Sequence, residues 1–132
     1  MILVDTSVWI DFIRGSATEP VARLRTGLDT GVAIAITPLI YQEILQGARD
    51  DKAFRDYRAY FAGQRFLHPA DPVLSQERAA RLYFDCRRAG LTVRSSNDCL
   101  IAQVALEHDV PLLHDDRDFQ AIAEVAPALK LT

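Results

Sequence analysis

The feature that most constrains this chain is an alternation repeated along its length: short apolar runs, several rich in β-branched residues, are each followed by longer segments with apolar residues at helical spacing. Ile2 to Val4 is the first run, and Ser7-Val8-Trp9-Ile10-Asp11-Phe12-Ile13 is a helical pattern that stops at Gly15. Pro20 to Leu28 reads as a second helix with Val21, Leu24 and Leu28 on one face. Gly31 then turns the chain into Val32 to Ile36, a buried strand. Thr37-Pro38 supplies an N-cap and a proline at the first helical position, and Leu39, Ile40, Ile44 and Leu45 carry that helix to Gly47. A further helix is expected over Asp51 to Ala62, a short strand over Gln64 to His68, and a long helix from Leu74 to Ala89. Ser95-Ser96-Asn97-Asp98 opens a helix whose buried face is Leu100, Ile101, Val104 and Ala105. Pro111 to Leu113 reads as a strand, Asp115 to Ala126 as a helix and Ala128 to Leu131 as a closing strand.

Parallel neighbouring strands need helical crossovers, so this order predicts an α/β fold with a mostly parallel central sheet covered by helices on both faces. At 132 residues, with no repeat or linker, residues 1–132 are expected to form one domain, and a 49% hydrophobic content is enough to fill its core. That content excludes general disorder, and no apolar stretch approaches the roughly 20 residues that cross a bilayer. Asp5 and Asp11 interrupt the N-terminal segment, which has no early Lys or Arg, so a signal peptide is not expected and a cytoplasmic location is. Cys86 and Cys99 are too few for a disulfide framework or an all-cysteine zinc site and read as buried, reduced thiols. The net charge of −3 excludes a uniformly basic nucleic-acid binder while leaving local patches open.

The acidic residues fall at the junctions. Asp5 closes the first strand, Glu43 lies in the helix after the second, Asp98 begins the helix after the polar loop, and Asp115, Asp116 and Asp118 follow Leu113. In an open parallel sheet the carboxyl ends of the strands share one edge, where ligands collect. Carboxylates distant in sequence can therefore converge there. Two of them about 4 Å apart repel by roughly 4 kcal/mol at an effective dielectric of 20, so either a proton or a cation must offset the repulsion. Oxygen ligands without His or Cys suit magnesium or manganese, and a carboxylate-held dication supports hydrolysis of a phosphodiester. Helix capping is the alternative for individual residues: Ser95-x-x-Asp98 matches a capping box, and Asp115 can cap a helix with Asp118 at its third position. Glu43 lies too far into its helix for that explanation, and Thr6 or Ser7 can cap the first helix as well as Asp5 can.

Four segments carry a resemblance. Met1-Ile2-Leu3-Val4-Asp5-Thr6-Ser7-Val8-Trp9-Ile10 resembles the opening of the PIN-domain ribonucleases, in particular the VapC toxins of type II toxin–antitoxin pairs. Thr37 to Gly47 resembles the stretch with the family's glutamate, Asn97-Asp98-Cys99-Leu100-Ile101-Ala102 its third acidic motif, and Leu112 to Phe119 its fourth, all in the family's order. The resemblance implies a PIN-like three-layer sandwich and a magnesium-dependent endoribonuclease, with manganese as a substitute ion. It implies a catalytic quartet of Asp5, Glu43, Asp98 and Asp116, of which Asp5, Asp98 and Asp116 hold metal, with Asp118 as an auxiliary carboxylate and Ser7 as the small polar residue beside the first aspartate. His114 stands where many relatives carry Thr. The implied partners are an RNA substrate, a cognate antitoxin and a second copy of the chain, with no membrane.

No histidine spacing suggests a metal site, and neither a Gly-x-Ser-x-Gly elbow nor a phosphate-cradling glycine loop is present. His108 reads as a dipole partner at a helix C-terminus. Between Arg78 and Arg94 five arginines (Arg78, Arg81, Arg87, Arg88, Arg94) face a single carboxylate, Asp85, a local patch suited to RNA phosphates or, equally, a solvated helix face. Tyr41, Phe54, Tyr57, Tyr60 and Phe61 read mostly as core, and the resemblance implies that their helical pair receives an antitoxin segment. The other functions weighed are a housekeeping RNA-processing nuclease of the same fold, a phosphoacceptor receiver domain, disfavoured because Lys130 lies within the closing strand, and a non-catalytic binding module whose carboxylates are only caps.

Overall fold

The computed structural model describes all residues, 1–132. In chain order the elements are β1 (Ile2–Val4), α1 (Thr6–Arg14), α2 (Glu19–Asp29), β2 (Ile34–Ile36), α3 (Pro38–Gln46), α4 (Asp51–Phe61), β3 (Arg65–Phe66), α5 (Pro72–Arg88), α6 (Ser96–His108), β4 (Leu112–Leu113) and α7 (Arg117–Val125). Local chemistry sets many of the boundaries. Thr37 accepts a hydrogen bond from the Ile40 amide at 3.1 Å and Pro38 begins α3, as the sequence predicts. Gly15 ends α1 in the left-handed conformation at φ 75°, which glycine adopts without steric cost.

The four strands form a wholly parallel sheet in the order β3-β2-β1-β4. Leu3 is paired with both Ala35 and Leu112, so β1 is central and the chain leaves its carboxyl end at Asp5. Successive strand residues point to opposite faces, and Leu3 and Val4 are both fully buried, so both faces of the central strand are covered. Leu112 and Leu113 repeat the pattern on β4. On this covered sheet α1 packs against α2 and α3, while α5, α6 and α7 pack against one another. Trp9, fully buried on α1, meets Phe61 edge-on at 4.9 Å and Phe12 at 5.6 Å.

Helix α6 is buried on nearly every side: Asp98, Cys99, Ile101, Ala102, Gln103, Val104 and Ala105 are all inside. This explains why its sequence shows an apolar stripe without a matching polar face. Cys86 and Cys99 are free and buried, and burial pushes the Cys99 thiol up to about 12. No helix is long and apolar enough to cross a membrane.

The structure departs from the sequence expectation at its strands, and of the expected Gln64 to His68 only Arg65–Phe66 pair. The closing strand shrinks to one parallel bridge, Leu131 beside Leu112, because Ala126 to Leu129 turn before the chain reaches the sheet. The second strand begins at Ile34, since Val32 instead closes a turn on Gly27 at the end of α2.

Candidate active site

Four chain segments meet at the carboxyl edge of β1 and β4. Asp5 caps α1: its Oδ2 accepts the Ser7 amide at 2.9 Å and the Ser7 hydroxyl at 2.6 Å. The Ser7 hydroxyl oxygen also accepts the Asp115 amide at 3.0 Å, tying the segment after β1 to the segment after β4. The capping reading of Asp5 is therefore correct as far as it goes, yet its Oδ1 is buried with no partner. Burial raises the Asp5 pKa above the usual carboxylate value; the hydrogen bonds from Ser7 oppose this, and the nearby charge of Asp116 adds to it.

Glu43 reaches the same edge from α3. Thr6, beside Asp5, donates its hydroxyl to Glu43 Oε1 at 2.8 Å. Burial raises the Glu43 pKa, the bond from Thr6 pulls it down, Asp5 pushes it up and Asn97 pulls it down again. Asp98 lies in the first turn of α6 and is 6% exposed. Its pKa is pushed up to about 8, by burial first and then by the charges of Asp5 and Asp116. Asp98 Oδ2 is also buried and unpartnered, and Ser95 makes no side-chain cap bond, so the predicted capping box does not form.

The segment after β4 is wired differently from the sequence reading. The N-cap of α7 is Asp116, not Asp115, and its Oδ1 accepts the Asp118 amide at 2.9 Å. The Asp116 amide in turn donates to His114 Nδ1 at 3.2 Å, so His114 braces the turn that carries Asp116. Asp118 is buried, and its Oδ2 accepts the main-chain amides of Arg94 at 2.9 Å and Ser95 at 3.1 Å. It thereby holds the connector that delivers Asp98.

Arg94 is the residue whose place here the sequence reading missed. Its exposed guanidinium bridges Asp116 Oδ1 at 3.1 Å and Asp118 Oδ1 at 3.4 Å, and these carboxylates raise its pKa. Its position four residues before Asp98 is the signal in the sequence, overlooked because the residue was grouped with the arginines of α5. Asn97 beside Glu43 and Thr6 on Glu43 were missed similarly, as polar neighbours of acids already singled out.

The tightest carboxylate group is Asp98, Asp116 and Asp118, each with an oxygen within 4.8 Å of the others. Asp5 is outside that triple, but its charge is the largest after burial in raising the Asp98 pKa. Two buried carboxylate oxygens without partners, one on Asp5 and one on Asp98, beside a donor set made only of oxygen, fit a hard divalent cation. Leaving such atoms unsatisfied is costly, and a bound cation would offset the cost.

Residues 2–125 match the family model described as PIN domain. The chain is 39% identical over 126 residues to VapC ribonuclease Mb1587 of Mycobacterium bovis, and 39% identical over 126 residues to Ribonuclease VapC11 of Mycobacterium tuberculosis. Each alignment covers 95% of this chain and 93% of the relative. Among solved structures, VapBC2 from Rickettsia felis, bound to a DNA fragment from its promoter, superposes with TM-score 0.75 at 19% identity, covering 100% of this chain and 98% of that one. VapBC-1 from nontypeable Haemophilus influenzae superposes with TM-score 0.74 at 19% identity, covering 100% and 97%. At those identities the two structures establish the shared fold.

Proposed function

The chain belongs to the PIN-domain family, and from that premise we propose that it is a metal-dependent endoribonuclease, the toxin of a VapBC-like pair, acting in the cytoplasm. The observation that carries this reading is the approach of Asp5, Glu43, Asp98 and Asp116 to one edge of the sheet, with unpartnered buried oxygens on two of them. RNA is the substrate, in keeping with the relatives named as ribonucleases. The protein partner is an antitoxin, in keeping with the toxin–antitoxin complexes that share the fold. We assign residues 1–132 to one domain and expect a homodimer.

In this proposal Asp5, Asp98 and Asp116 hold magnesium, or manganese in its place. When bound, the cation acidifies water and neutralises the charge that builds on the phosphodiester during displacement. The chain's own residues do the rest. Ser7 fixes one oxygen of Asp5 and leaves the other for the cation. Thr6 fixes Glu43 Oε1, so Oε2 is the atom that exchanges a proton with water at the scissile phosphate. Arg94, exposed at the rim, offers its guanidinium to a substrate phosphate. Asp118 positions and holds no substrate: it fixes the backbone from which Asp98 projects.

The test is cleavage of RNA with magnesium by the wild type and by Asp5→Asn and Asp98→Asn, with circular dichroism to establish that both variants fold. Loss of at least about a hundredfold in rate is expected, the order seen when a charge-stabilising group is removed from an active site. Unchanged cleavage by both variants refutes the assignment.

A further inference from the structure

Helix α5 carries a stripe that the acidic site does not use. Phe84 is 50% exposed, and two guanidinium groups lie over its ring, Arg81 at 5.2 Å and Arg88 at 5.7 Å from the centroid. Positions 81, 84 and 88 are three and four residues apart, so they line one side of the helix. On the adjacent side of the helix, Arg87 lies over Tyr83 at 5.9 Å. Arg81 shares its charge with Asp85 at 2.9 Å, but none of the five ion pairs in the structure includes Arg78, Arg87 or Arg88. In a chain of net charge −3 this is a concentrated cationic surface built around an aromatic ring left in water.

The C-terminal end of α5, which carries the stripe, leads toward the candidate active site. Tyr83 shares a cavity of about 380 Å³ with Asn97 and Leu100, and Asn97 is the neighbour of both Asp98 and Glu43. Phe84 lies about 6 Å of helical rise from the end of α5. From that end residues 89–95 lead directly to Arg94 on Asp116 and Asp118. Flat rings flanked by arginines are the surface that single-stranded nucleic acid uses, with bases stacked on ring or guanidinium planes and phosphates held by the free cations.

We propose that the Arg81–Phe84–Arg88 stripe, with Arg87, is the docking track for single-stranded RNA flanking the bond that is cut. Phe84 stacks a base, and Arg87 and Arg88 hold phosphates that the acidic site itself would repel. This rests on the nuclease reading above and names the surface that brings the substrate to that site.

The test measures binding of a fluorescent single-stranded RNA to the Asp98→Asn protein, which does not cut it, across a potassium chloride series. Adding Phe84→Ala should weaken binding about tenfold, the scale of one lost base–aromatic stack. Adding Arg87→Gln with Arg88→Gln should lower the slope of log affinity against log salt by about 1.4, since each single-strand phosphate contact contributes about 0.7. In the wild-type background, Phe84→Ala should raise KM for RNA while leaving hydrolysis of bis(p-nitrophenyl) phosphate, too small to reach the track, unchanged. Unaltered RNA affinity and salt slope would overturn the proposal. So would a change in sedimentation coefficient for Phe84→Ala, which would show that a second copy of the chain covers the ring. If the wild type cuts neither RNA nor the small diester, the nuclease reading itself has failed, a result distinct from both.

Discussion

Replacing Asp98 with Asn should stabilise the metal-free protein at neutral pH, the opposite of what loss of a polar core group usually does. Asp98 is 6% exposed with its pKa pushed up to about 8, against a value of 3.8 for the free side chain. Below pH 4 both folded and unfolded chains hold the proton and the site costs nothing. As pH rises the unfolded chain ionises first while the folded chain keeps its proton. Stability therefore falls through the window from about pH 4 to pH 8 and levels once Asp98 ionises in the fold. At 1.36 kcal/mol per unit, the loss attributable to this one group is about 4 kcal/mol between pH 4 and pH 7. Asparagine has the same shape and nothing to ionise. The raised pKa values of Asp5 and Glu43 give slopes of the same sign in both proteins, and because the charge of Asp5 acts on Asp98 the difference between the two curves reports Asp98 together with that coupling. The assay is urea unfolding in EDTA from pH 4.5 to pH 8.5, followed by the fluorescence of Trp9. A second arm adds magnesium: at ten times its Kd the wild type should gain about 1.4 kcal/mol, and the variant little. Parallel stability curves in EDTA, or an equal gain from magnesium, would refute the reasoning.

Three further outcomes are expected. Asp118→Ala strands the amides of Arg94 and Ser95 and should cost about 2–4 kcal/mol in urea unfolding; Asp118→Asn, which keeps one acceptor, should cost about half as much, and equal midpoints would contradict the positioning role. Arg94→Gln removes a cation from Asp116 and Asp118 and should tighten manganese binding about fivefold by calorimetry, with little change in the urea midpoint because the pairs lie at an exposed guanidinium. Thr6→Val removes the bond that holds the Glu43 pKa down, so the acidic limb of the kcat/KM profile should move to higher pH; an unmoved limb removes Glu43 from the proton chemistry.

How much of this was readable beforehand depends on the range of the interaction involved. Helix starts at Thr37-Pro38 and stops at Gly15 are decided by a few neighbouring residues, and the sequence shows them directly. The parallel sheet follows from the alternation, which lets acids at strand exits converge, while the selection of Asp5, Glu43, Asp98 and Asp116 among them rests on the family resemblance. Ala128 to Leu131 failed as a strand because an apolar run states only that residues want burial, while pairing requires that the preceding turn deliver them in register. The choice between Asp115 and Asp116 as the cap of α7 failed for a related reason. Both residues satisfy the local rule, and the decision falls to the Asp115 amide, which is drawn to Ser7 across 108 positions of sequence.

The hydrogen bonds also divide the acids by role, which residue type alone cannot do. Asp118 is as buried as Asp5, but its carboxylate is engaged by two main-chain amides and a guanidinium, so an ion would have to displace protein partners to use it. Asp5 keeps one oxygen engaged and one free, and Asp98 has a buried oxygen with no donor near it. Asp116 is intermediate, with Oδ1 committed to the Asp118 amide and to Arg94. In the proposed site the unpartnered oxygens of Asp5 and Asp98 are the ones a cation would meet without displacing a protein partner. Asp118 stands within reach by distance alone, and the connector it anchors would be the cost of recruiting it. Spacing would assign the metal to Asp98, Asp116 and Asp118. Counting donors and acceptors favours instead the proposed set of Asp5, Asp98 and Asp116, with Arg94 competing for Asp116.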